Sequence, residues 1–127
     1  MQAIKRILVP IDFSEVSHAA LSMALQLASD YDAQLFVLHV VDDLDRELKK
    51  RLVSAPNDDV IETAIRKGET AILDAVELER SRAREAGKQL QNSPLKMIVT
   101  GGDWLEVSIG LIDEHDLDLI VTGTHGG

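Results

Sequence analysis

The chain has no cysteine among its 127 residues, which removes a disulfide framework, a thiolate metal site and a cysteine nucleophile together, and fits a reducing compartment. Aromatic residues are almost as scarce. Phe13, Tyr31, Phe36 and Trp104 are all there are, 3% of the chain, too few for a stacking platform along single-stranded nucleic acid or for an aromatic cage. Positive charge is in short supply, with 13 Lys and Arg against 22 Asp and Glu and a net charge of −9. A surface of that sign repels nucleic-acid backbones and anionic membranes, so neither is expected as a partner. Long hydrophobic runs are missing. After Lys5 and Arg6 the apolar stretch from Ile7 to Ile11 is too short for a signal-peptide core or a membrane span, and a cytoplasmic location is expected. No G-x-x-x-x-G-K-[ST] pattern occurs, which argues against a P-loop enzyme.

A small anionic ligand stays open, because backbone dipoles at a strand-to-helix turn act locally while scattered surface charge is screened within about 10 Å. With 45% hydrophobic residues and a mean hydropathy near zero, the chain is read as one soluble domain over residues 1–127. Ile4 to Ile11 is rich in β-branched residues and apolar on both faces after Arg6, as a strand covered on both sides is. Pro10 cannot donate a ladder hydrogen bond and should mark the strand's end. Ser14 is a candidate N-cap for a helix from Glu15 to Ser29, with Leu21, Ala24, Leu25 and Ala28 as its inner face. Ala33 to Val41 reads as a second buried strand. Asp42 to Asn57 mixes charges with leucines before Pro56 and is expected to be a partly helical excursion. After Asp58-Asp59 a long helical pattern runs to Leu90, weakened locally by Gly68. Leu95 to Thr100 is the third strand. Asp103 with Glu106 is a capping-box spacing, and Trp104, Leu105, Ile109 and Ile112 are the expected inner stripe of the next helix.

The last stretch, Leu117 to Gly127, begins as a short apolar run and breaks into three glycines within five residues, Gly123, Gly126 and Gly127. This is a buried strand delivering its carboxyl end into a turn whose bare amides can approach an anion. Strands alternating with helices imply right-handed crossovers and a parallel twisted sheet with helices on both faces, a three-layer α/β sandwich. Every chemically unusual residue then falls at a strand's carboxyl end: Asp12, Val40 to Asp43, Gly101-Gly102 and Gly123 to Gly127. In an open parallel sheet that is where ligands bind.

Leu8-Val9-Pro10-Ile11-Asp12-Phe13-Ser14, Leu38-His39-Val40-Val41 and Asp118-Leu119-Ile120-Val121-Thr122-Gly123-Thr124-His125-Gly126 together resemble the universal stress proteins. That resemblance implies a five-stranded parallel α/β sandwich, usually dimeric, whose members in many cases bind ATP through a motif G-x-x-G-x9-G-[ST] after the fourth strand. It implies that Asp12 contacts the ribose or phosphates with Pro10 beside it, that Val40 lines the adenine pocket through its backbone, and that Gly123 and Gly126 meet the phosphates. Mg2+ or Mn2+ would accompany ATP. The second half of the motif and the fifth strand are not in this sequence, so the chain is expected to be C-terminally incomplete.

Three functions compete. One is a nucleotide-binding regulatory module with at most slow ATP hydrolysis, and another is a nucleotide-free interaction protein of the same fold acting through dimerisation. A phosphoryl-transfer or nucleotidyl-transfer enzyme is third, since the strand ends offer no lysine or arginine to stabilise phosphoryl charge. A phosphoacceptor receiver domain is disfavoured because strand 3 ends in Thr100-Gly101 with no aspartate. Beside these readings, Asp12 also suits a turn or helix cap, Val40 and Trp104 suit core packing, and His39 suits a hydrogen-bonded core histidine. His125 has no nucleophile and orienting acid placed near it by spacing, so it reads as a loop residue. Asp42-Asp43 and Asp58-Asp59 read as charged loop, because adjacent residues on a strand point apart.

Overall fold

A computed structural model describes residues 4–41, 58–90 and 93–123, with side chains in the long helix described from residue 62 onward. The elements follow one another as β1 (Arg6–Pro10), α1 (Glu15–Tyr31), β2 (Gln34–Val40), α2 (Asp58–Glu85), β3 (Leu95–Thr100), α3 (Trp104–His115) and β4 (Leu119–Ile120). The four strands are parallel and lie in the order β3-β2-β1-β4. The expected α/β architecture with helices on both faces is the observed one. The Asp42 to Asn57 excursion lies outside the described residues.

Alternation along the two central strands decides which residues meet which helices. Ile7 and Val9 of β1 and Leu35 and Val37 of β2 face one side, where they pack with Leu21, Ala24, Leu25 and Ala28 of α1 and Ile72, Ala75 and Val76 of α2. Leu8, Phe36 and Leu38 face the other side and meet Leu111 of α3. Both faces are apolar because both are covered, and every one of these seven strand side chains is buried. The inner face expected for α1 is the one observed.

Local signals start and stop α1 as the sequence suggests. Ser14 accepts a hydrogen bond from Ser17 N–H at 3.1 Å, satisfying one of the helix's orphan donors. Asp32 ends the helix in the left-handed region, φ 53°, a conformation Asp tolerates better than most residues. The long helix α2 differs from expectation: it stops at Glu85 rather than running to Leu90. Gly87 takes φ 80°, and Lys88 N–H returns to Ala83 C=O at 2.9 Å, a glycine-terminated C-cap of the Schellman kind. Leu90 still packs against the core from beyond the helix.

Gly68 does not interrupt α2. A Cβ there would stand 2.7 Å and 3.0 Å from the two γ-methyls of Val99 on β3, so the glycine lets the helix lie directly on the strand. Buried Glu79 of α2 joins the two helices on this face, taking His18 Nδ1 of α1 at 3.1 Å and Arg82 Nη1 at 3.0 Å on the same oxygen. Burial of this carboxylate is tolerated because it is paired.

The third helix departs most from its sequence pattern. Its inner side consists of Val107, Ser108, Leu111 and Ile112, whereas Trp104, Leu105 and Ile109 are 48%, 51% and 59% exposed. Only Ile112 of the expected stripe packs inward. A serine on the buried side and isoleucine and leucine on the open side reverse the usual assignment of polarity to faces.

At the amino end of the sheet, Asp118 clamps β1 to β4. One carboxylate oxygen accepts the N–H groups of Lys5 at 2.8 Å and Arg6 at 3.0 Å, and Asp118 N–H donates to Arg6 C=O at 2.9 Å. Those two main-chain donors hold the Asp118 carboxyl below its ordinary pKa, with the charges of Arg6 and Lys5 adding to them.

Two outcomes follow. A depressed folded-state pKa adds stability that is present above the unfolded carboxylate value of about 4 and disappears as pH falls through the folded value. Asp118→Asn should therefore be less stable than the parent at pH 7, with the gap closing below about pH 4, as read by denaturant midpoints at both pH values. At Gly68, alanine gains helix propensity of about 1 kcal/mol but overpacks against Val99 by about 1–3 kcal/mol. The single change should be net destabilising, and combining it with Val99→Ala should cost less than the sum of the two, measured by a double-mutant cycle in urea.

Candidate functional site

The carboxyl ends of β1 and β4 separate, and the reason lies in one residue. In a parallel ladder a residue bonds through both its N–H and C=O to the same neighbour, on alternating sides. Val121 N–H donates to Leu8 C=O at 2.8 Å, and Ile11 N–H donates to Leu38 C=O at 2.8 Å, so even-numbered residues of β1 face β4 and odd-numbered ones face β2. The next donor toward β4 would be residue 10, and Pro10 has none. Pairing of β4 with β1 ends at Ile120 opposite Leu8, while pairing with β2 continues to Pro10 opposite Leu38.

A cleft of about 230 Å³ opens there, lined by Pro10, Ile11, Asp12, Ser14, Val16, Ser17, Leu38, Val40, Trp104, Thr122 and Gly123. Four of the residues singled out from sequence, Pro10, Asp12, Val40 and Gly123, thus share one surface. Gly126 and His125 lie outside the described residues. Gly101 and Gly102 are not in the lining, and Gly102 instead serves the turn into α3 with φ 112°.

The polar side of the cleft is the turn between β1 and α1. Asp12 Oδ1 accepts Ser14 N–H at 3.0 Å, and Asp12 N–H donates to Ser17 Oγ at 3.3 Å. The Ser17 hydroxyl donates in turn to Ser14 C=O at 3.1 Å. Asp12 accordingly does what a turn carboxylate does, and it is also exposed on the cleft wall. Phe13 between them has φ 65°, a backbone state that is unusual for a bulky residue and concentrates at functional turns. Its ring meets the His39 ring edge-on at 4.6 Å between centroids. His39 Nδ1–H donates to Ile11 C=O at 3.2 Å, so His39 is a packed, hydrogen-bonded histidine that steadies the turn from below, as its place in an apolar strand suggests.

Gly123 has a second reason to be glycine. A Cβ there would meet Val16 Cγ1 and stand 2.7 Å from the Val16 carbonyl oxygen, so Gly123, just past β4, presses on the first turn of α1. That contact holds the two polar walls of the cleft together.

Sequence comparison bears on what such a cleft belongs to. The profile of the Universal stress protein family matches residues 3–127. The chain belongs to the universal stress protein family. The universal stress protein A homolog of Haemophilus influenzae is 31% identical over 122 residues, which is 95% of this chain and 77% of that protein. A universal stress protein family structure from Burkholderia pseudomallei is 26% identical and covers 98% of this chain and 85% of its own, with a TM-score of 0.62. A universal stress protein solved in complex with cAMP is 19% identical, covers 94% of this chain and 72% of its own, and gives a TM-score of 0.57.

In this universal stress protein, reading along the sequence misses Trp104, Ser14, Ser17 and Thr122 as cleft residues. Ser14 reads as a capping residue, which it is, and Ser17 bonds back to it from within the first turn. Trp104 read as core because tryptophan at a helix start usually is, yet it stands half-exposed on the cleft. Only the offset of the whole α3 stripe explains it, and that offset is set by packing. No helix among the described residues is long and apolar enough to cross a membrane.

Gly123→Ala places a methyl against backbone, which cannot rotate away as the Val99 side chain can. It should destabilise the protein by about 2 kcal/mol, read by denaturant unfolding, and Val16→Ala should restore only part of that loss.

Proposed function

We propose that this universal stress protein is a regulatory module that binds ATP or another adenine nucleotide in the cleft at the carboxyl ends of its strands. The observation that carries this reading is convergence: Pro10, Asp12, Val40 and Gly123, from three separate strand ends, line one cleft. Its volume of about 230 Å³ lies below the roughly 300–1,000 Å³ of drug-sized sites, which suits a nucleoside with its phosphates extending outward. Pro10, Ile11, Leu38 and Val40 offer an apolar seat for a base. The Asp12 carboxylate is an acceptor for ribose hydroxyls, and the main chain at Gly123 borders the cleft as a polar surface for phosphate oxygens. The structural neighbour in complex with cAMP supports an adenine nucleotide as the ligand class.

Among the described residues, no lysine or arginine lines the cleft. Phosphate charge would be met by main-chain dipoles and by a divalent cation. Among the described residues no group of three or more His, Cys, Asp or Glu is placed to hold a metal, so Mg2+ or Mn2+ would arrive on the phosphates, with Asp12 the carboxylate at hand. We infer binding and retention over turnover, with any hydrolysis slow. We infer a cytoplasmic homodimer as its working form. The alternative, a nucleotide-free interaction protein acting through dimerisation, is favoured by one observation, the outward Leu105 and Ile109 of α3.

Calorimetric titration with ATP and Mg2+ tests the reading. Asp12→Ala should weaken binding roughly ten-fold or more, the scale of a hydrogen bond to a charged group, while the fold persists. Asp12→Asn retains an acceptor for Ser14 N–H and separates loss of charge from loss of the turn. Unchanged affinity in both variants would remove Asp12 from the site, and absence of heat with the unsubstituted protein would remove the nucleotide.

A further inference from the structure

We propose that Trp104 is the wall of the cleft against which the flat face of a purine base stacks, making it the residue that selects a purine over a pyrimidine nucleotide; this rests on the nucleotide reading of the same cleft. Trp104 is the first residue of α3, where the Asp103 carboxylate accepts Glu106 N–H at 3.2 Å and sets where the helix begins. It lines the cleft while 48% of its surface stays exposed. Among the described residues no aromatic ring or cation packs on its indole.

The placement matches a base more than a phosphate. Leu38 and Val40 belong to the α3 side of the sheet, and Trp104 reaches the cleft from that side. Ser14, Val16 and Ser17 reach it from the first turn of α1 on the opposite side. On the α3 side the lining is mainly apolar, with Leu38, Val40 and the indole, and on the α1 side it carries Ser14 and Ser17 beside Ile11 and Val16. Among the described residues every other apolar residue of the lining is aliphatic, and Trp104 is the one aromatic surface. Stacking energy grows with ring overlap and is insensitive to the hydrogen-bond pattern of the base. It discriminates by size, and a two-ring purine covers indole better than a one-ring pyrimidine.

Trp104 is also the chain's single tryptophan, so the emission of the whole protein reports on this site. Addition of ATP with Mg2+ should quench that emission along the same isotherm that calorimetry gives. Trp104→Ala should weaken ATP on the order of ten-fold and UTP by less, so that the ATP-to-UTP affinity ratio falls. Trp104→Phe should keep most of both the affinity and the ratio, which shows that the ring matters rather than the fold. ATP bound with unchanged tryptophan emission, or equal losses for ATP and UTP in Trp104→Ala, would overturn the stacking role while leaving nucleotide binding intact. No heat with ATP in the unsubstituted protein would overturn both.

Discussion

The shape of this domain depends on a hydrogen bond that β1 cannot make. Its neighbour β4 is clamped at the amino end, where Asp118 takes two main-chain N–H groups and returns one. At the carboxyl end Pro10 has no N–H for the next rung. The pair is therefore closed at one end and open at the other, and the opening is the cleft. A proline inside a central strand is ordinarily a defect, and here it marks the place where the ladder stops. On its other side β1 stays paired with β2 as far as Leu38, so the gap forms between β1 and β4 alone.

Around that gap the chain uses small residues for approach as much as for freedom of the backbone. Gly68 lets α2 rest on Val99, and Gly123 lets the end of β4 rest on Val16. The second contact ties the β4 turn to the turn that holds Asp12, Phe13 and Ser14. A glycine that reads from sequence as a bare amide at a turn is thus required by packing. The strained Phe13 is held by ring contact with His39 and by the Asp12 to Ser14 hydrogen bond, so the polar wall is built in advance of any ligand.

Most of the architecture was legible along the chain. β-Branched runs without alternation of polarity marked strands buried on both faces, Ser14 and Asp103 marked helix starts, and strands alternating with helices implied a parallel sheet. The end of α2 was misplaced because a periodic apolar pattern continued past Gly87, where the backbone had already turned into the left-handed region. The face of α3 differs from its apolar spacing because that spacing points inward only where apolar residues seek the core. In α3 the sheet accepts Ser108 and Leu111, leaving Trp104, Leu105 and Ile109 outside. That Asp12, Val40, Pro10 and Gly123 gather at one end of the sheet is legible through strand-end logic and family resemblance, and they line one cleft. Trp104 was visible as a residue but not as part of the site.

By itself the amino-acid sequence determined the element order, the parallel topology and the end of the sheet where its unusual residues gather, because these follow from local propensity, period and chirality, which act within a few residues. Tertiary structure alone decided that β1 and β4 part at Pro10, that Gly123 seats against Val16 and that Trp104 turns toward the cleft. Each of these is a contact between segments distant along the chain, set by which side of the sheet each helix covers, and no short-range pattern carries that information.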